Sequence, residues 1–348
     1  MLNALEYSLA ELEDIITQMN EPKFRAKQVY TWLTKGVDFS SMTNLPKSLI
    51  HKLSEKYVSN GVEIYSKLIS KVDGTRKYIF KLQDGNIIEG VLMSYKYGNT
   101  ICISTQVGCR MNCSFCASTL DGLVRNMTAG EMLGEVIAVN NDISKNGERC
   151  ITNIVLMGSG EPLDNYDNVV KFLNLVSSSD GLNISRRNIS LSTCGIVPNI
   201  YRLSEDMKGV TLTISLHAPN DKLRSDIMPV NNAYSIKELI DACRYYFEVS
   251  GRRIIFEYSM IKGKNDSDEI ALELSKLLKG LPCHVNLISL NYVKERGLHS
   301  TSQDNVLNFK KILEKNGIST TIRRSMGSDI EGACGQLRRK ILKENNLI

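Results

Sequence analysis

The sequence predicts an α/β protein: a partial (β/α)6 barrel with a small N-terminal helical domain and a β-hairpin extension between the two. Three observations carry this. Apolar residues recur at helical spacing across the first 60 residues. Residues 62–96 hold short runs rich in β-branched and aromatic side chains, broken by Asp73-Gly74 and Asp84-Gly85. From residue 100 onward, strand-sized apolar runs alternate with helical stretches, the pattern of repeated βα units around a parallel sheet. The expected divisions are 1–60, 61–98, a barrel over 99–325, and a C-terminal loop and tail over 326–348.

Taken in order, Leu5, Leu9, Leu12, Ile15, Ile16 and Met19 mark a first helix. A second is expected around Ala26 to Leu33 and a third around Leu49 to Tyr57, after Pro46. Val62 to Tyr65, Lys77 to Leu82 and Asn86 to Leu92 read as strands. The barrel strands are expected at Thr100 to Thr105, Asn153 to Met157, Asn188 to Thr193, Val210 to Leu216, Arg253 to Met260, His284 to Leu290 and Ser319 to Arg323. Helices between them include Ala129 to Ile143, for which Thr128 and Glu131 form a capping box. Ile236 to Phe247, Asp268 to Leu278 and Asn305 to Lys315 are others.

Composition narrows the function classes. With 348 residues and 42% hydrophobic content the chain can bury a sizeable core. No apolar run approaches the ~20 residues of a membrane span. The opening Met-Leu-Asn-Ala-Leu-Glu-Tyr lacks the basic and apolar regions of a signal peptide. Nine unevenly spaced cysteines fit a reducing cytoplasm better than a disulfide scaffold. A net charge of +5 permits an RNA partner without demanding one.

The first barrel strand runs into Val107-Gly-Cys109-Arg-Met-Asn-Cys113-Ser-Phe-Cys116-Ala. This C-x3-C-x2-C loop falls at a strand's C-terminal end, where α/β barrels keep their chemistry. Three thiolates can hold an iron–sulfur cube whose four irons ordinarily take four cysteines, leaving one iron open to a small molecule. A zinc knuckle or three unrelated thiols is the plainer alternative. Zinc motifs usually pair two Cys/His halves, and no second half is visible.

Further motifs follow in order: Gly158-Ser-Gly160-Glu161-Pro162-Leu163, Leu191-Ser192-Thr-Cys-Gly195, Ser215-Leu216-His217-Ala-Pro219, Met228-Pro-Val-Asn231, Asn286-Leu-Ile-Ser-Leu-Asn291 and Ala333-Cys334-Gly-Gln-Leu337. Together with the cysteine loop they resemble the radical S-adenosylmethionine (SAM) superfamily, and within it the RlmN/Cfr branch of 23S ribosomal RNA adenine methyltransferases. The resemblance spans nearly the whole chain. It implies a barrel of radical SAM type, a 4Fe–4S cluster on Cys109, Cys113 and Cys116, and SAM at the open iron. It assigns SAM contacts to Gly160, Glu161, Ser192, Ser215, Leu216, His217 and Asn291. Strand alternation alone would put Ser215 and His217 on one side and Leu216 on the other.

The resemblance also gives Cys334 and Cys102 the roles of methyl-carrying and resolving cysteines, a pair that closes to a disulfide in turnover. Glu89, twenty residues before Cys109, falls where the family has its proton acceptor. Cys150, Cys194, Cys243 and Cys283 read as inert small hydrophobes. The implied reaction is methylation of adenine carbon 2 in 23S rRNA, and of adenine 37 in tRNA, with two SAM per methyl group. Pro162 favours the RlmN type over the Cfr type, which methylates carbon 8 and carries alanine there. A flavodoxin or ferredoxin would supply electrons, and a monomer without membrane contact is expected. The N-terminal domain would bind RNA. Lys23, Arg25, Lys27, Lys47 and Lys52, with Arg323, Arg324, Arg338, Arg339 and Lys340, are candidate phosphate contacts.

Overall fold

The structure, a computed structural model, describes residues 1–145 and 148–330. Cys334, Arg338, Arg339 and Lys340 lie outside the described residues.

The N-terminal region holds β1 (Leu2–Asn3), α1 (Leu9–Gln18), α2 (Arg25–Thr34), α3 (Lys47–Lys56) and β2 (Tyr57–Val58). Ser8 accepts from the Glu11 N–H, and the Glu11 carboxylate returns to Ser8, so α1 starts on a capping box. Leu12, Ile16, Val29, Leu33, Leu49 and Leu53 are the buried stripes of the three helices. Short β1 pairs in parallel with β2, which closes this region on itself.

Then come β3 (Val62–Ile69), β4 (Arg76–Leu82), β5 (Ile87–Tyr95) and β6 (Gly98–Ile103). A small antiparallel pair follows, β7 (Gln106–Gly108) with β8 (Leu123–Asn126), and it brackets the cysteine loop. The alternating part runs α4 (Ala129–Ile143), β9 (Ile151–Leu156), α5 (Tyr166–Ser177), β10 (Ile189–Thr193), α6 (Val197–Asp206), β11 (Thr211–Ser215), α7 (Asp221–Ile227), α8 (Ile236–Ser250), β12 (Ile254–Met260), α9 (Asp268–Leu278), β13 (Cys283–Ser289), α10 (Gln303–Lys315) and β14 (Thr320–Ile322).

Apart from the β7–β8 pair, these strands form one sheet of ten in the order β14-β13-β12-β11-β10-β9-β6-β5-β4-β3. From β6 to β14 every pairing is parallel; from β6 back to β3 every pairing is antiparallel. The expected extension is therefore continuous with the barrel wall. The reason is local: only Lys96 and Tyr97 separate β5 from β6, so the strands must pair as a hairpin. The β3–β4 register shifts between Ile64 and Ser66, a bulge in the outermost strand.

Side chains alternate across the wall. Leu191, Leu212 and Ile214 join the main core, whereas Ser192 and Ser215 face the cavity that the sheet encloses. The loops that leave β6, β9, β10, β11, β12 and β13 gather at one end of the sheet. That end holds every motif singled out from the sequence within the described residues.

Candidate active site

The cysteine loop is held open by backbone geometry. Gly108 has φ 78°, and a Cβ there would lie 2.0 Å from the Gly122 carbonyl oxygen, so only glycine fits. The Cys109 N–H donates to that oxygen (2.9 Å), and the Ser114 N–H donates to the Ile227 carbonyl (2.9 Å). Arg110 pairs with Asp164, and Arg296 Nη2 donates to Thr119 Oγ1 (2.7 Å). The loop is thus pinned from three sides while its sulfurs face inward.

Cys109, Cys113 and Cys116 line a cavity of about 220 Å³ together with Gly160, Glu161, Ser192, Ser215 and His217. Burial pushes the Cys109 thiol up to about 12, and repulsion from Cys116, Glu161 and Asp164 adds to this. Cys113 is raised by burial in the same way. Thiols so placed ionise readily only where a metal takes their charge, which suits an iron site. Among the described residues no three His, Cys, Asp or Glu side chains gather closely enough to hold a single ion.

The Gly158–Glu161 turn packs directly on the segment entering the cysteine loop. The Thr105 and Gln106 N–H groups donate to the Ser159 carbonyl (2.9 and 3.1 Å). Gly160, at φ 106°, lies so close that a Cβ would meet the Gln106 nitrogen at 2.7 Å. Glu161 is 4% exposed. Its Oε1 accepts from the Leu163 N–H (3.0 Å) and its Oε2 from the Cys194 N–H (2.7 Å). Each carboxylate oxygen has a second lone pair, so the group can still accept from an ammonium in the cavity.

His217 follows β11 with φ 57°, and its Nδ1 accepts from the Ser259 N–H (2.9 Å). Its ring meets Phe115 of the cysteine loop edge-on at 4.8 Å. Leu216 is buried in the main core and does not line the cavity; its N–H donates to the Glu257 carbonyl (3.1 Å) and its carbonyl accepts from Arg224.

A second cavity of about 290 Å³ adjoins the first. Phe115, Cys116, Met157, Ser259, Ile288 and Arg323 belong to both. Cys102 and Asn291 line it, and Cys102 is 5% exposed, packed with Val91, Met93 and Met326. Stacked Tyr95 and Tyr97 rings stand beside it, of which Tyr95 forms part of its wall.

The comparisons with known proteins agree with this geometry. A family model for the radical SAM superfamily matches residues 103–274, and one for the ribosomal RNA large subunit methyltransferase N-terminal domain matches residues 2–58. Over 344 residues the chain is 55% identical to a Clostridium botulinum (strain Eklund 17B / Type B) protein named probable dual-specificity RNA methyltransferase RlmN. That match covers 99% of this chain and 98% of the relative. The chain belongs to the RlmN family. A relative of the same name from Clostridium novyi (strain NT) is 51% identical over 347 residues, covering 99% of this chain and 100% of the other. The crystal structure of a radical SAM methyltransferase from Sphaerobacter thermophilus superposes with a TM-score of 0.93 at 43% identity, over 97% of this chain and 99% of that one. The RlmN family is one of radical SAM RNA methyltransferases, whose cofactors are a 4Fe–4S cluster and SAM.

Several groups at this RlmN-type site escaped the sequence reading. Arg224 is fully buried behind the cavity. It donates to the carbonyls of Cys194 (2.6 Å), Ser215 (3.1 Å) and Leu216 (3.1 Å) and to Asn231 Oδ1 (3.1 Å). It thereby ties the ends of β10 and β11 together. Cys194, read as an inert hydrophobe, lines the cluster cavity. Glu89 is buried on β5, on the side shared by Val91 and Met93, and its Oε2 lies 3.4 Å from Lys77 Nζ on β4. Of the candidate RNA contacts, Lys52 pairs with Glu21 (3.0 Å) and donates to the Met19 carbonyl, Lys23 pairs with Glu13 (3.0 Å), and Arg323 lines the site beside Glu257 (3.5 Å).

His217 makes a measurable acid dependence. Burial, with the Arg224 charge adding, pushes its imidazole down to about 3. Unfolded, it titrates near ~6.5. Below that pH the unfolded chain binds a proton that the folded chain refuses, so stability falls as pH drops from ~6.5 towards about 3. At pH 5 the loss is about 2 kcal/mol. Asparagine tolerates the positive φ and can accept from Ser259. Denaturant unfolding at pH 7.5 and pH 5 should show that His217→Asn removes this part of the pH sensitivity; equal losses in both proteins would count against it.

Proposed function

We propose that this enzyme methylates carbon 2 of an adenine in 23S rRNA, and of adenine 37 in tRNA, through a methyl group carried on Cys334. The observation that supports it best is the wall common to the two cavities: Cys102 lines one, the cysteine triplet lines the other, and Cys116 belongs to both. A resolving thiol beside a cluster is what a radical route through a protein-bound methyl group requires.

The target carbon is an electron-poor sp2 centre, so it cannot displace the methyl group of a sulfonium directly. The cluster and SAM, when bound, supply radical chemistry. Cys109, Cys113 and Cys116 hold the iron, while Gly160, Glu161, Ser192, Ser215, His217 and Asn291 bind and orient SAM, with Leu216 acting only through the backbone. Cys334 takes the methyl group of a first SAM on sulfur and presents that carbon to the ring once a second SAM has activated it. Glu89 accepts the ring proton. The Cys102 thiolate then attacks the sulfur that links protein to RNA: the S–S bond forms as the C–S bond breaks. The leaving carbon takes up a proton to become the methyl group, and the one electron left over from radical addition returns to the cluster. External thiols reset the disulfide.

The helical region over 1–60 contributes RNA contacts, and the chain works as a cytoplasmic monomer reduced by a flavodoxin or ferredoxin. The target base must leave its stack to reach so enclosed a site.

Nucleoside mass spectrometry after anaerobic turnover tests this. The parent enzyme should give 2-methyladenosine in both rRNA and tRNA, and Cys334→Ala should give none while acquiring no methyl group itself. Finding 8-methyladenosine without 2-methyladenosine would identify a Cfr-type enzyme instead. Methylation by Cys334→Ala would overturn the carrier role.

A further inference from the structure

Arg224 is a cation buried without an anion. Among the described residues it is the largest side chain that is fully enclosed, at 0% exposure. Every hydrogen bond of its guanidinium goes to a neutral oxygen: the carbonyls of Cys194, Ser215 and Leu216, and Oδ1 of Asn231. The ion-paired arginines among the described residues are Arg76, Arg110, Arg125, Arg202 and Arg323, and Arg224 is not one of them.

Two acids on neighbouring segments are otherwise engaged. Asp221, one turn earlier on α7, is exposed and accepts from the Ile236 N–H (2.7 Å) and from Asn231 Nδ2 (3.0 Å). It attracts the guanidinium only through space. Glu161 bonds the N–H of Cys194, while Arg224 takes the carbonyl of the same residue. Carbonyl dipoles satisfy the donors of Arg224 but do not cancel its charge. Burial of an unpaired guanidinium is costly, and arginine does not escape by losing its proton as lysine can.

The charge sits directly behind the cysteine loop. The Ser114 N–H joins that loop to the Ile227 carbonyl at the end of α7 (2.9 Å). Cys194 packs with Cys113 and Ile227, and the Arg224 charge reaches both cysteines. Three thiolates outweigh the positive charge of an oxidised iron–sulfur cube, so a cluster on this loop is an anion, and reduction makes it more negative. SAM does not meet the same need, because its carboxylate is already matched by its own ammonium and sulfonium.

We propose that Arg224 is the built-in counter-charge of the cluster: it stabilises the anionic cube and raises its reduction potential, so that the cube is easier to reduce. The proposal rests on the assignment of the cluster to Cys109, Cys113 and Cys116. The competing account is a purely structural clamp between β10 and β11. The two differ in what lysine does, since lysine keeps the charge and loses the planar fork. Glutamine does the reverse in part: it keeps some hydrogen bonds and loses the charge.

The test uses full-length Arg224→Lys and Arg224→Gln, reconstituted anaerobically with iron and sulfide. The midpoint potential of the cube is read by electron paramagnetic resonance during a redox titration without SAM, with iron content and circular dichroism alongside. Arg224→Lys should bind as much iron as the parent and titrate at the parent potential. Arg224→Gln should titrate lower, by about tenfold or more in the reduction equilibrium, which is about 59 mV for one electron. A folded glutamine protein that holds no cube, beside a lysine protein that does, would show the same need for charge. Should the glutamine protein not fold, the lysine protein decides alone, because a clamp deprived of its fork would not restore the parent potential. Equal midpoints in the parent and Arg224→Gln would overturn the proposal. So would an Arg224→Lys protein with a lowered potential or no cube, since geometry would then be what the position supplies. A parent protein that assembles no cube, or a Cys113→Ala protein that keeps a complete one, would instead overturn the cluster assignment, and the counter-charge with it.

Discussion

Enzyme carrying Cys113→Ala is expected to be folded, colourless and unable to cleave SAM. Cys113 is 8% exposed and packs in a small cluster with Cys194, Ala218, Ile227, Met228 and Ile261. Trimming one sulfur from that cluster costs about 1 kcal/mol, too little to unfold a domain of this size. The loop itself is held by backbone bonds from Cys109 to Gly122 and from Ser114 to Ile227, and these do not involve the Cys113 side chain. What is lost is one of the three proposed iron ligands. With two, the cube has no stable seat, and 5′-deoxyadenosine formation should fall by at least about 10³-fold, since the radical step belongs wholly to the cofactor. Circular dichroism, iron content, visible absorbance and product analysis separate the fold from the chemistry. A variant that still binds four irons and cleaves SAM would remove Cys113 from the ligand set.

Lys77→Met is expected to cost about 3–5 kcal/mol of stability, because it breaks a buried ion pair with Glu89 in the barrel wall. Lys77 is 0% exposed and Glu89 4%, with 3.4 Å between Nζ and Oε2. Removing one partner of a pair so deeply buried is costly, because the remaining charge loses its attraction while staying largely out of water. Pairing Lys77→Met with Glu89→Gln should recover much of the loss, which is the signature of a coupled pair in a double-mutant cycle. Chemical denaturation of the four proteins gives the coupling energy directly. A loss below about 1 kcal/mol for Lys77→Met would mean that water or another group serves Glu89 equally well. RNA methylation should vanish in Glu89→Gln while SAM cleavage persists, because the carboxylate is assigned only to the ring proton.

The parts of the molecule that were legible in the sequence share one property: their signal is local. A strand feeding C-x3-C-x2-C, a Gly-Ser-Gly-Glu turn after β9, and the capping box at Thr128 and Glu131 are each contained within about a dozen residues. The illegible parts depend on register between distant segments. Glu89 gives no sign of burial in Asn86-Ile-Ile-Glu-Gly; its partner becomes visible only when β4 and β5 pair so that Ile79 faces Glu89 and Lys77 faces Val91. Arg224 sits in Asp221-Lys-Leu-Arg-Ser-Asp-Ile, whose charges look like a solvated surface helix. Its burial follows from the close approach of α7 to the ends of β10 and β11, which no periodicity encodes. The partners of Lys52, Glu21 and the Met19 carbonyl, were invisible in the sequence for the same reason, since they lie on a different part of the chain.

The ten-stranded sheet also bears on how readily the chain could pair with copies of itself. A barrel that does not close leaves two strand edges able to recruit another chain. One edge here is β14, only three residues long. The other is β3, which carries Glu63 and Lys67, is largely exposed beyond Val62, and is broken by the irregularity between Ile64 and Ser66. Short length, charge and a bulge each discourage edge-to-edge association. The antiparallel strands thus carry the open margin of the barrel away from the flat parallel strands beside the cluster and end it in a poor template for aggregation.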